Sequence, residues 1–246
     1  MVVFGIHPVL EALRARRAVA VRFVEKESAR LREILELARD LGVPLFREPP
    51  DRLESRARGQ VHQGVVAELA DVGGYGVADL VAGATGAPLI VVLDGIEDPH
   101  NMGAILRTCD AAGVDGVIVQ ERRSAARSGV AAKASAGALA HVRIAEVVNV
   151  ARALEELKAL GVWTAGLAGD APLSYDKAEL TGPTALVFGA EGAGLRRLVR
   201  ERCDFLVSIP MGGHVGSLNV SVAAGIALFE AVRQRRGRGS GGAAGR

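Results

Sequence analysis

Three short stretches carry residue types that do chemistry, and each follows an apolar run of strand character. In Asp94–Arg107 (DGIEDPHNMGAILR), Met102, Ile105, Leu106 and Cys109 recur at helical spacing and mark a buried stripe. Asn101 is a good N-cap candidate for that helix. Arg107 lies off the stripe, one turn beyond Gly103, whose missing side chain leaves room. The alternative for Arg107 is a surface ion pair with Asp110 at i,i+3, worth only tenths of a kcal/mol. In Leu186–Leu195 (LVFGAEGAGL), three glycines after a buried strand let main chain approach a ligand closely. The order G-x-x-G-x-G is neither a dinucleotide fingerprint nor a phosphate loop. Glu191 is expected near the N-terminus of a helix starting around Gly194, where a carboxylate is favoured. In Ile209–Ser221 (IPMGGHVGSLNVS), a strand runs through a glycine-rich loop into a helix of small residues. Ser217 or Asn219 could cap that helix and do nothing more.

The elements that position these stretches fall into two groups. Residues 1–70 read as a compact α/β module. His7-Pro8 opens a helix, Val19–Val24 forms a strand, 28–41 is a helix stopped by Gly42, and Val43–Phe46 and Gly64–Leu69 are strands. Residues 71–87 are glycine-rich and nearly uncharged, so the junction is placed there. From Pro88, strands at Leu89–Leu93, Gly116–Val119, Val162–Leu167, Ala185–Phe188 and Phe205–Ile209 alternate with helices at 101–112, 149–160 and 219–234. Uninterrupted apolar strands between amphipathic helices predict a parallel sheet covered on both faces. Ligands of such sheets bind beyond the carboxyl ends of the strands, where all three stretches lie.

Composition narrows the classes. Apolar residues make up 49% of the 246, enough for a well-buried core. No run approaches the ~18 apolar residues of a membrane span, and the first residues lack signal-peptide order. Cys109 and Cys203 are too few for a disulfide framework, and no Cys/His group has zinc spacing. Both read as reduced, buried thiols of a cytoplasmic protein that binds no metal. Net charge is only +2, but Arg14, Arg16 and Arg17, then Arg122, Arg123, Arg127 and Lys133, and five arginines after residue 232 form basic clusters. Such clusters contact phosphates through counterion release, or are simply solvated faces.

Taken together, DPHNMGAILRT, VFGAEGAGL and IPMGGHVGSLNVSVAAGIALFE resemble the three motifs of the SpoU/TrmH branch of SPOUT methyltransferases. The resemblance runs over 88–235 and takes in KASAGALAHV (133–142) and Asn149. GIHPVLEALRA and VHQGVVAEL make the first module similar to the small substrate-binding domain of two-domain, ribosomal-RNA-modifying enzymes of that branch.

The resemblance implies a trefoil-knotted parallel-sheet methyltransferase domain at 88–235, a small α/β RNA-binding domain at 1–70, a linker at 71–87 and a disordered basic tail at 236–246. It implies S-adenosylmethionine as methyl donor, with Gly189, Ile209 and Leu218 lining its pocket and Met211 and Gly212 nearby. It gives the central catalytic role to Arg107, with Asn101, Glu191, Ser217 and Asn219 around it. A guanidinium with a pKa above ~12 is a poor base. Arg107 is therefore expected to hold the phosphate beside the target ribose and stabilise charge on the 2′-oxygen. Asn101, Ser217 and Asn219 would position the ribose, and Glu191 would orient Arg107 or Asn101. The expected reaction is 2′-O-methylation of a guanosine in large-subunit (23S) ribosomal RNA by a homodimer whose seam includes the final helix. Ribose methylation of transfer RNA, a drug-resistance rRNA methyltransferase and a noncatalytic RNA-binding protein are the alternatives.

Overall fold

The computed structural model describes residues 2–25, 28–57, 59, 61–70, 74–121 and 137–240. The first module is built on a mixed four-stranded sheet. Its elements are β1 (Val2–Phe4), α1 (Ile6–Arg14), β2 (Ala18–Phe23), α2 (Ala29–Asp40), β3 (Leu45–Arg47), α3 (Pro50–Arg56) and β4 (Val65–Leu69), with strand order β1-β4-β2-β3. Alternation sorts the strand side chains between faces. Val3, Val21, Val65 and Ala67 join α1 and α2 through Val9, Leu13, Leu31 and Ile34. Phe4 and Val66 pack instead on Leu53 and Ala57 at α3.

The larger unit follows with α4 (Val77–Ala82), β5 (Leu89–Asp94), α5 (Pro99–Ala112), β6 (Gly116–Gln120), β7 (Ile144–Val147), α6 (Val150–Ala159), β8 (Trp163–Leu167), β9 (Leu173–Ser174), β10 (Thr184–Gly189), α7 (Arg197–Arg202), β11 (Phe205–Ser208) and α8 (Val220–Ser240). Its seven strands run in the order β7-β6-β5-β10-β8-β11-β9, every pairing parallel. All six residues of β5 are buried, as a sheet covered on both faces requires. Leu89, Val91 and Leu93 face α5 and α8 with Ile105, Leu106, Ala224 and Leu228. Ile90 and Val92 face α4 and α6 with Leu80, Leu154 and Leu157. No helix among the described residues is long and apolar enough to cross a membrane.

Two expectations are corrected here. The stretch 71–87, expected as the linker, contains α4, whose Val77 and Leu80 are buried in the second core layer. Its apolar residues are few but correctly spaced, and the neighbouring glycines hide them. The basic tail expected as disordered from 236 is helical to Ser240. Arg235 anchors that end of α8, donating to the carbonyl oxygens of Leu180, Ala87, Pro88 and Gly182 at 2.6–3.1 Å. Gln234 bridges Leu180 N–H and the Ala178 carbonyl. The expected basic cluster at Arg122, Arg123, Arg127 and Lys133, and the last six residues, lie outside the described residues.

Candidate active site

The chain leaving β5 enters α5 through Asp98-Pro99. Asp98, not Asn101, is the N-cap: its carboxylate accepts the His100 N–H at 3.0 Å, and Pro99 supplies the preset first helical φ. Asn101 therefore sits one turn inside α5, 8% exposed, with its amide turned toward the other two strand ends. The proline marks this start more firmly than the asparagine does.

After β10 the chain makes a tight hairpin. Ala190 and Gly194 bond each other both ways, at 3.0 and 2.8 Å, and Gly192 and Gly194 take positive φ. A Cβ on Gly189 would lie 2.1 Å from the Gly194 carbonyl carbon, so no other residue fits there. This turn displaces the helix expected near Gly194. α7 starts at Arg197, and Glu191 stands on the hairpin tip rather than at a helix N-terminus.

After β11, residues 209–218 run in the open. Met211, Gly212 and Ser217 are exposed, and Ile209 and Leu218 half-buried. Asn219 ends the loop as the cap of α8, its Oδ1 accepting Ser221 N–H at 2.9 Å and Ser221 Oγ–H at 2.6 Å.

The three ends meet through side chains. Asn219 Nδ2 donates to Asn101 Oδ1 at 2.9 Å, and Asn101 Nδ2 donates to Glu191 Oε2 at 3.1 Å. The direction of both amides is dictated: a helix N–H can only donate to Asn219 Oδ1, which leaves the Asn219 NH₂ for Asn101 Oδ1 and so the Asn101 NH₂ for Glu191. Beside this chain an open cleft of about 610 Å³ lies between the β5 and β10 loops. It is lined by Gly95, Glu97, Asp98, Asn101, Ala190, Glu191, Gly194, Arg196, Arg197 and Val220, among others. Arg107 is exposed on α5 and does not line it; among the described residues its side chain makes no hydrogen bond or ion pair, with Asp110 or otherwise. Ser217 likewise makes no side-chain bond among the described residues.

Two residues of this site went unnoticed in the sequence. Asp94 closes β5 fully buried, held by Arg196, which follows the hairpin. An acid ending an otherwise apolar run (LIVVLD) was the available signal. The thiols offer no nucleophile: burial raises both, Cys203 to about 12.

Comparison with known proteins decides the family. The profile of the SpoU rRNA Methylase family matches residues 88–229, and that of RNA 2′-O ribose methyltransferase substrate binding matches 2–72. The chain belongs to the SpoU methylase family. Its two matched regions fall on the seven-stranded parallel sheet and the mixed four-stranded sheet. The chain is similar to two proteins named 23S rRNA (guanosine-2′-O-)-methyltransferase RlmB. That of Ralstonia nicotianae is 46% identical over 235 residues, covering 94% of each chain. That of Pseudomonas aeruginosa is 44% identical over 239 residues, covering 95% of this chain and 96% of the relative. Among solved structures, the SpoU methyltransferase AviRb from Streptomyces viridochromogenes in complex with AdoMet superposes with a TM-score of 0.82. It is 27% identical, covering 96% of this chain and 91% of that one.

Proposed function

We propose that this SpoU-family chain transfers a methyl group from S-adenosylmethionine to the ribose 2′-hydroxyl of a guanosine in 23S ribosomal RNA, in the cytoplasm. The carrying observation is the buried Asn101, bonded at once to Glu191 and Asn219. It joins three strand ends far apart in sequence into one site, which a bare RNA-binding protein has no need of. The RlmB relatives match over nearly their whole length and are named for this reaction, and AviRb is described with AdoMet.

The chain fits the cofactor. Residues 209–218 offer main-chain donors and acceptors that no other described group takes up, and a Cβ at Gly212 or Gly213 would meet nothing within 4 Å. Gly189, Ile209, Met211, Gly212 and Leu218 are the residues we assign to hold it. When bound, the sulfonium supplies an electrophilic methyl and a good leaving group. The protein's task is alignment of the 2′-oxygen and stabilisation of its developing charge. Glu191 uses one oxygen to fix Asn101; the other makes no bond among the described residues and faces no internal competitor for a ribose hydroxyl. Asn219 is joined to it through Asn101, and we assign Ser217, two residues earlier on the loop, to the ribose as well. Arg107 is assigned to the neighbouring phosphate, which it would grip through two parallel bonds. An Arg107→Lys variant that kept full turnover would remove that role.

We also assign a homodimer. On α8, Val222 is 50% and Phe229 48% exposed, with Ile226 half-buried between them on the same helix face. An apolar stripe beside the cofactor loop suits a second copy of this chain. Sedimentation should give a dimer mass for the wild type and a monomer for Phe229→Glu.

The decisive test is transfer of labelled methyl from S-adenosylmethionine to separate 23S rRNA and tRNA, with the product mapped by mass spectrometry. A 2′-O-methylguanosine in 23S rRNA is expected. Label only in tRNA, or only on a base, sinks the assignment.

A further inference from the structure

The roles above leave one buried acidic side chain unused. Asp94 is 0% exposed, and a polar group out of water is costly unless its oxygens find hydrogen-bond partners. Here a single residue 102 positions later supplies them. Arg196 N–H bonds Oδ2 at 2.9 Å, its Nε bonds Oδ1 at 2.6 Å, and its Nη2 also reaches Oδ1. Asp94 is also the partner of Gly189 in the β5–β10 register. The hairpin thus leaves the sheet beside Asp94 and returns to be clipped by the same residue. Glu191 projects from between those two anchor points, and its carboxylate is what Asn101 is oriented by.

We infer that Asp94 is a positioning residue for methyl transfer: through its clip on Arg196 it sets the hairpin, hence the Glu191 carboxylate and the direction of the Asn101 amide. The inference rests on the functional reading above. It assigns Asp94 no contact with substrate or cofactor. Were Asp94 merely part of the sheet's stability, its loss would be independent of Glu191.

Asp94→Asn keeps the size of the side chain but sets an NH₂ against the guanidinium. Single-turnover methyl transfer on 23S rRNA should fall about 100-fold, the cost of a small misplacement of reacting groups, with the KM for RNA unchanged. Glu191→Gln should also be slow. The double variant should be no slower than the slower single variant, because both remove one unit. Independently of activity, amide hydrogen exchange should rise in residues 189–197 of Asp94→Asn while β5 and β10 stay protected. Arg196→Lys keeps the charge and the main-chain bond but loses the fork; it goes through the same cycle and serves alone if Asp94→Asn does not fold. Unchanged exchange in the hairpin, or losses that multiply, overturns the positioning role. An inert wild type instead sinks the functional reading, and the exchange result still judges the clip.

Discussion

The hairpin after β10 and the loop after β11 both end on Asn101, through Glu191 and Asn219, but are held in opposite ways. The hairpin closes on itself through two main-chain bonds, lies against a Gly189 with no space for a Cβ, and is clipped to the buried Asp94. Residues 211–217, by contrast, are all exposed and make no hydrogen bond among the described residues. The first is a rigid half that the chain builds alone. The second is a half fixed only at its ends, by β11 and by Asn219, with main-chain groups left for what binds. This division is economical for a transferase, since a preset carboxylate needs no reorganisation at the moment of reaction.

The comparison breaks most visibly at Gly189. Gly189→Ala puts a methyl 2.1–2.3 Å from the main chain of Gly194 and Leu195, which cannot move aside as a flexible side chain would. A loss of about 3 kcal/mol is expected, the upper end for overpacking, along with nearly all methyl transfer. Urea denaturation beside the transfer assay checks it. If stability is unchanged, the hairpin is not the rigid half.

How far the sequence disclosed this site depends on the kind of signal. The parallel sheet was legible because β5 and β10 are uninterrupted apolar runs, and Asn101, Glu191 and Asn219 stood out through the resemblance of their motifs. The start of α5 was misplaced because Asn101 and Asp98 are both good caps, and only the position of Pro99 separates them. The hairpin at 190–194 looked like a helix start because positive φ at Gly192 and Gly194 is a property of the folded main chain. The Asp94–Arg196 pair was invisible for a simpler reason. An ion pair 102 residues apart leaves no periodicity, and a lone acid at a strand end has many ordinary explanations. The helix α4 was lost among glycines, its two buried residues too few to make a pattern.

The entry to the open loop supplies the next test. Asp204 ties the start of β11 to β8, accepting Thr164 N–H at 2.8 Å, Thr164 Oγ1–H at 2.7 Å and Lys158 Nζ–H at 3.0 Å. Burial works to raise this carboxyl, but the bonds from Thr164 and Lys158 outweigh it and hold it below its ordinary 3.8. A depressed carboxylate contributes stability that is complete above its unfolded value and lost as pH falls through the lower folded one. Stability measured from pH 6 down to 2 should therefore drop below about pH 4 in the wild type. Asp204→Asn should lose roughly 1–2 kcal/mol at neutral pH and show a shallower acid limb. An unaltered acid limb would mean the loop's entry is held by something else.

The exit is a smaller effect with a sharper meaning. Asn219 both caps α8 and bonds Asn101. Asn219→Ala should cost about 1 kcal/mol as a lost cap. Asn219→Asp keeps the capping oxygen but has no donor for Asn101, so it should restore stability and not turnover. Recovery of both would reduce Asn219 to a cap.

The smallest stability effects are expected within the loop, and they decide whether it is open by design. Gly212 carries no positive φ and has nothing within 4 Å of an added Cβ, and the Ser217 hydroxyl makes no bond among the described residues. Gly212→Ala and Ser217→Ala should therefore melt within about 0.5 kcal/mol of the wild type. If the loop is completed by what binds, the two variants should part from the wild type only on titration with S-adenosylmethionine, Gly212→Ala through weaker binding of the cofactor. Ser217→Ala should bind it normally and transfer methyl slowly, because its hydroxyl is assigned to the ribose. A marked drop in the melting temperature of either variant without cofactor would show that the loop already packs against the protein, and the contrast with the hairpin would fail.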